Sequence, residues 1–272
     1  MNHHIKAAYF SPTGTTKKIV TGIAAKLAGN LGGQTVENVD FTLPDGRKEP
    51  LSFTEQDLVV FGVPVYAGRV PNVLLKYLSD IRGNGASAIA VVVYGNRHYD
   101  DALIELKDIL EAGGLKIIAG GSFIGEHSFS RILGANRPDE QDMSIVTEFA
   151  DQLYRKITSQ NVFDPLFVPG NRPYRAYSKP KDKDSKPMMI HKVKPKTNDD
   201  CIDCKLCVSL CPMGSIDADE VSKIDGICIK CCVCIKECPM EAKHFDDANY
   251  LWHKNELEVA YTSPRREPEF FL

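Results

Sequence analysis

Nine cysteines fall within 38 residues, from Cys201 to Cys238, and the 200 residues before them contain none. A secreted fold stapled by disulfides distributes its cysteines to close loops, so this clustering argues for a metal or an inorganic cluster. Cys201, Cys204, Cys207 and Cys211, followed by Pro212, read C-x2-C-x2-C-x3-C-P, and Cys228, Cys231, Cys234 and Cys238, followed by Pro239, repeat that spacing. Three thiolates separated by two residues wrap three corners of a cubane, while the fourth, leading into proline, reaches the other cluster. The pattern assigns Cys201, Cys204, Cys207 and Cys238 to one [4Fe-4S] centre and Cys228, Cys231, Cys234 and Cys211 to a second. Zinc is the competing reading, but it gives no purpose to the third cysteine or the C-P ending. Cys232 fits neither repeat and is expected to be a bystander thiol.

The remainder of the 272 residues reads as globular protein with no apolar run long enough to span a membrane. Without a secretory pattern, the expected setting is reducing and cytoplasmic. The formal charge of -3 hides a segregation: residues 1–169 carry -3, 170–197 carry +7, 198–247 carry -6 and 248–272 carry -1. Up to residue 158, strand-length apolar runs alternate with helical patterns, the signature of a doubly wound α/β domain with five parallel strands. Strands are expected at 5–10, 34–39, 58–63, 86–94 and 115–124, with helices between them. Pro71 is expected to open a helix burying Leu74, Leu75, Leu78 and Ile81, and Asp100 to cap one burying Leu103, Leu106 and Leu110. Beyond residue 160 the periodicity is broken by prolines and lysines. The expected division is 1–160, a basic Pro-rich linker 161–197, a cluster domain 198–247 and a tail 248–272.

The first strand runs into Ser11-Pro12-Thr13-Gly14-Thr15-Thr16-Lys17 and then directly into a helix. Hydroxyls from Ser11, Thr13, Thr15 and Thr16, amides around Gly14 and the positive end of a helix suit a phosphate. There is no G-x4-G-K-[ST] and no G-x-G-x-x-G, which favours a monophosphate cofactor over a dinucleotide.

This loop resembles the phosphate loop of flavodoxins, and the cysteine segment resembles the two-cluster bacterial ferredoxins. Joined together, they resemble a family of flavodoxin–ferredoxin fusions found mainly in anaerobes. The resemblance implies a flavodoxin-like sheet that binds FMN, plus a small α+β domain that transfers single electrons. It implies that the flavin ring is held by Pro64, Val65, Tyr66, Ala67 and Gly68 in one loop and by Gly95, Asn96, Tyr99 and Asp100 in another, with Tyr66 or Tyr99 stacking on it. His127, after the fifth strand, is either near the ring or an ordinary loop histidine.

The leading expectation is an electron-transfer iron–sulfur flavoprotein that couples one-electron and two-electron steps between its clusters and FMN. The alternative is an FMN-dependent reductase of a quinone or other small organic acceptor. No catalytic set is recognisable, so no catalytic residue is assigned. The expected partner is a redox protein, donor or acceptor, and a homodimer would be another way to bring a cluster near FMN. The +7 linker lacks the interleaved aromatics of a nucleic-acid surface, and no nucleic acid is expected. It reads instead as a docking strip for an acidic surface.

Overall fold

The computed structural model describes residues 4–159 and 166–272; the boundary expected at residues 160–161 lies outside the described residues. The chain forms β1 (His4–Tyr9), α1 (Thr15–Asn30), β2 (Val36–Asp40), β3 (Asp57–Pro64), α2 (Leu75–Leu78), β4 (Ser87–Tyr94), α3 (Ala102–Ala112), β5 (Lys116–Ile124) and α4 (Glu140–Thr158). After these come β6 (Lys196–Thr197), α5 (Leu206–Ser209), α6 (Val233–Lys236), β7 (Lys243–His244), α7 (Ala248–Tyr261) and β8 (Glu269–Phe271).

The main sheet has the order β2-β1-β3-β4-β5-β8. Its first five strands are parallel, and β8 closes the edge antiparallel to β5, with Gly121 opposite Phe270. Strand β3 is buried along nearly its whole length because both faces of the sheet are covered. Leu58 and Val60 face one side, against Ile19, Ile23 and Leu27 of α1 and Phe149 and Leu153 of α4. Val59, Phe61 and Val63 face the other, against Leu103, Leu106 and Leu110 of α3. The order reverses between β1 and β3, and the C-terminal ends of those strands border the crevice where doubly wound sheets bind ligands.

Three local expectations are corrected. The five parallel strands gain a sixth, β8, from the segment expected to be a tail, and α7 precedes it. The Pro71 helix is only a 3-10 turn followed by the four residues of α2, because Arg82 bonds by backbone to Leu51 and Phe53 and draws the chain out of the helix. The N-cap of α3 is Asp101, not Asp100. Its carboxylate instead accepts the amides of Asn171 and Arg175, fastening the proline-rich segment to the sheet domain.

That segment is held further by Arg69, which forms a bidentate pair with buried Glu105 (2.6 and 2.7 Å) and lies over the rings of Tyr174 and Tyr177. Its lysine-rich continuation touches the cysteine-bearing segment through Lys194, bonded to the Ile224 carbonyl, and Lys196, paired with Asp246. No helix among the described residues is long and apolar enough to cross a membrane.

Candidate functional site

The phosphate-type loop begins where β1 ends. The Ser11 amide donates to Thr42 Oγ1 (2.8 Å), and Ser11 Oγ accepts the Lys17 amide (2.9 Å), which curls the loop over the start of α1. Gly14 sits before the helix in the left-handed region (φ 80°), and no side chain caps the helix there. The Thr15 and Thr16 amides therefore have no intrahelical acceptor, while the Lys17 amide is taken by Ser11 Oγ. The Thr16 hydroxyl is buried with no hydrogen-bond partner. An orphaned donor beside uncapped amides fits an anionic group such as the FMN phosphate, since leaving a buried polar group unmatched costs roughly 1–3 kcal/mol.

From this loop a cavity extends between the ends of β3, β4 and β5. Ser11, Thr13, Thr15 and Thr16 line its first end, and Pro64, Val65, Tyr66 and Gly95 line the far end. Gly14 lines a neighbouring opening on the outer side of the loop. Gly95 is required there because a Cβ would come within 2.5 Å of the His127 ring. Ala67 and Gly68 form the tip of a two-residue turn with both φ positive (53° and 82°), closed by reciprocal backbone bonds between Tyr66 and Arg69. That turn packs on Asp100, which a Cβ on Gly68 would meet at 2.3 Å, so Ala67 and Gly68 aim Tyr66 without lining the cavity.

Asn96, Tyr99 and Asp100 are placed elsewhere than expected. The Asn96 side chain donates to the Tyr261 carbonyl (2.7 Å) and accepts the Arg266 amide (2.9 Å). Tyr99 is buried in the core, stacked on His98, with its hydroxyl donating to Glu269 (2.7 Å). Asp100 pairs with Arg97. The C-terminal segment claims Asn96 and Tyr99, and contacts at separations of 165 to 170 residues leave no local trace in the sequence.

Residues not singled out for the cavity also line it: Pro12, Val93, Tyr94, Gly125, Glu126 and Ser128, with His127 beside them. Nδ1 of His127 accepts the Phe129 amide (3.1 Å), which places the proton of the neutral ring on Nε2. Burial, reinforced by nearby Lys236, lowers its pKa to about 4 and keeps the ring neutral near pH 7. The one signal in the sequence was the position of His127 immediately after a predicted strand.

The cysteines converge in two groups. Cys201, Cys204, Cys207 and Cys238 line one hollow, and Cys211, Cys228, Cys231 and Cys234 line another, four cysteines to each. Among the described residues, no group of three His, Cys, Asp or Glu side chains is arranged to hold a single metal ion. All-thiolate donor sets of this kind suit iron–sulfur cubanes. The loops turn through paired left-handed residues, Asp203 and Lys205 in the first copy (φ 55° and 60°) and Lys230 and Cys232 in the second (55° and 60°). Cys232 borders the second space, but its Sγ lies 3.4 Å from the Lys230 carbonyl and 3.7 Å from the Tyr250 hydroxyl. Burial raises the thiols of Cys228, Cys231 and Cys234, so binding iron there must displace protons. At Cys238 burial is outweighed by backbone N–H groups of Met240, Ala242 and Lys243, and its thiol is lowered.

The two sites adjoin. Cys231 lines the same cavity as the phosphate-type loop, and the Tyr66 phenol is raised well above its usual range, first by burial and then by any negative charge on the sulfurs of Cys231, Cys232 and Cys228. Lys236 Nζ bridges to Glu126 Oε1 and to the carbonyls of His127 (2.8 Å) and Ser130 (3.0 Å), while Arg47 donates to the Pro212 carbonyl. Tyr250 of α7 packs on Phe129 at 5.1 Å between ring centres.

Comparison with known proteins agrees with both halves. A family model described as a flavodoxin domain matches residues 7–110, and one described as a 4Fe-4S dicluster domain matches residues 147–254. No curated protein matches the chain. Among solved structures, a flavodoxin from Streptococcus pneumonia TIGR4 is similar at 19% identity over 56% of this chain and 98% of its own, with a TM-score of 0.39. A flavodoxin from the domain Archaea has 14% identity over 57% of this chain and 99% of its own (TM-score 0.40). An apo NADH:FMN oxidoreductase has 17% identity over 57% and 89% (TM-score 0.41). The matched domains carry FMN and two [4Fe-4S] clusters as their cofactors. The chain is a flavodoxin–ferredoxin fusion, an FMN and iron–sulfur electron-transfer protein.

Proposed function

We propose that this chain relays electrons along a fixed order: an outer cluster held by Cys201, Cys204, Cys207 and Cys238, an inner cluster held by Cys211, Cys228, Cys231 and Cys234, and FMN. The observation that carries the reading is that Cys231 and Tyr66 line one cavity with Ser11, Thr13, Thr15 and Thr16. When bound, FMN supplies one- or two-electron chemistry and each cluster one-electron chemistry, so their combination couples the two.

The chain's own residues set the conditions for this. Thr16 and the uncapped amides of α1 hold the phosphate, with Gly14 leaving them open. Pro64, Val65, Gly95 and Tyr94 would wall the ring end, and Tyr66 and Cys231 line the side of the same cavity that adjoins the inner cysteine loop. Neutral His127 offers a donor, Nε2–H, on the same wall. Lys236 fixes the inner cysteine loop to the flavin-binding half, and Arg47 holds the Pro212 carbonyl beside Cys211, the inner cluster's fourth ligand. This proximity exists within one chain, so a homodimer is not needed to bring a cluster to FMN. The reductase alternative is less favoured because Cys231 and Tyr66 occupy a wall that a small acceptor would otherwise approach.

The test is anaerobic reduction of the holoprotein by a small reductant with flavin and cluster spectra followed together. Reduction of both clusters with the flavin left oxidised, at a potential where free FMN is reduced, would sink the relay. A second check is Thr16→Val. It is expected to weaken FMN binding about tenfold, one lost hydrogen bond to a charged group, while the melting temperature of the apoprotein holds or rises because the hydroxyl has no partner there.

A further inference from the structure

The outer cysteine loops carry an apolar surface that the rest of the molecule leaves uncovered. Ile202 is 62% exposed, Leu206 38% and Met240 42%, and all three border the space enclosed by Cys201, Cys204, Cys207 and Cys238. Cys204 itself is exposed. Near this patch in the chain Asp199, Asp200, Asp219, Glu220 and Glu241 are exposed, and none makes an ion pair among the described residues. The lysines of residues 198–247 do not offset them outward. Lys205 and Lys223 are paired with Asp203 and Asp225, Lys230 and Lys243 are buried, and Lys236 is turned into the flavin-binding half.

An apolar centre with a polar rim of one sign is the anatomy of a transient protein interface, in which the rim steers encounter and the centre supplies contact. We propose that the face around Ile202, Leu206 and Met240 docks a redox protein that presents a basic rim around its own cofactor, and that electrons enter or leave the chain there. The inference rests on the relay order and adds its outer terminus. Each encounter moves one electron between the partner's centre and the cluster of Cys201, Cys204, Cys207 and Cys238; no bond breaks and no proton moves. A second copy of this chain is the other cation-bearing candidate, through its exposed Lys179, Lys181, Lys183 and Lys186. That strap carries no cofactor and would cover the terminus without using it.

The test uses the holoprotein and zinc-substituted cytochrome c, a basic and redox-silent probe, with binding followed by fluorescence quenching across a salt series. The variant Asp219→Asn/Glu220→Gln/Glu241→Gln, with iron content confirmed, is expected to weaken binding at least tenfold at low ionic strength and to flatten its salt dependence. Met240→Ala is expected to weaken it a few-fold without changing the salt slope, and Lys181→Gln/Lys183→Gln to leave it unchanged. Wild-type binding by the triple variant overturns the proposal. So does a dimer in solution that dissociates on either set of charge changes, which would make the face a contact between copies. Flavin reduction through the clusters by a small reductant is recorded on the same samples. If the relay order is wrong, the flavin stays oxidised in every sample while binding still follows the charges; if the docking face is wrong, the flavin is reduced normally and binding ignores them.

Discussion

The two cysteine loops share a backbone and differ in what covers it. In the outer loop, Ile202 and Leu206 stand in solvent and Lys205 pairs with Asp203. At the same places in the inner loop, Ile229 packs on the core of the flavin-binding sheet, Val233 is 2% exposed and Cys232 replaces the lysine. Even the prolines diverge, since the Pro212 carbonyl accepts from Arg47 of the other half while Pro239 is exposed. The repeated spacing therefore gives both loops the same turn of backbone, and the residues between the cysteines decide which copy packs on the flavin-binding half. Cys232 follows from this. The position is left-handed and buried against Tyr250, so a small, weakly polar side chain suits it where a lysine does not.

The sharpest way to break the comparison is to remove one ligand from each loop. Cys231→Ser is expected to lose the inner cluster and roughly half of the iron, and to abolish flavin reduction through the clusters. Cys204→Ser is expected to lose a similar share of iron while the remaining cluster still exchanges electrons with the flavin. Iron analysis and flavin absorbance under anaerobic photoreduction would check both; equal effects on the flavin would show that the halves are functionally alike. Cys232→Ala is expected to leave the iron content unchanged.

A subtler contrast concerns packing. Ile229→Ala removes contacts with the flavin-binding core and is expected to cost about 1–2 kcal/mol, whereas Ile202→Ala, at a largely exposed site, is expected to stay within about 0.5 kcal/mol. Denaturant unfolding of the two variants side by side measures the difference, and equal losses would mean that the inner loop is not anchored through Ile229.

What the sequence disclosed and what it hid divide along range. The grouping of the cysteines follows from spacings of two and three residues, and the phosphate-type loop from seven consecutive residues, so both are written locally. The alternating apolar runs disclosed five strands because a doubly covered sheet demands them. Hidden were the long-range choices: which cluster is inner, that α7 and β8 return to the flavin-binding sheet, and that Asn96 and Tyr99 serve that return instead of the cavity. Asp247 caps α7 by accepting the Tyr250 amide, and nothing near it in the sequence announced that a helix there would lead back to β5.

The smallest expected effect tests the seam between the halves. His127 has its pKa lowered to about 4, first by burial and then by Lys236 of the inner copy, against about 6.5 in an unfolded chain. The unfolded chain thus binds more protons between these values, so stability is full above about pH 6.5 and falls as pH drops toward 4. His253 is lowered as well, by burial, and adds to the same slope. His127→Gln is expected to flatten part of the slope without removing it. Lys236→Gln is expected to move the His127 midpoint upward, because a positive charge that opposes protonation is gone. The outer copy has Ser209 at the position of Lys236, its hydroxyl bonded to the Leu206 carbonyl, so Ser209→Ala should leave the acid limb unchanged. Thermal melts of the apoprotein from pH 4 to 8 would show this, and an acid limb indifferent to both His127→Gln and Lys236→Gln would mean that the inner copy does not govern this histidine.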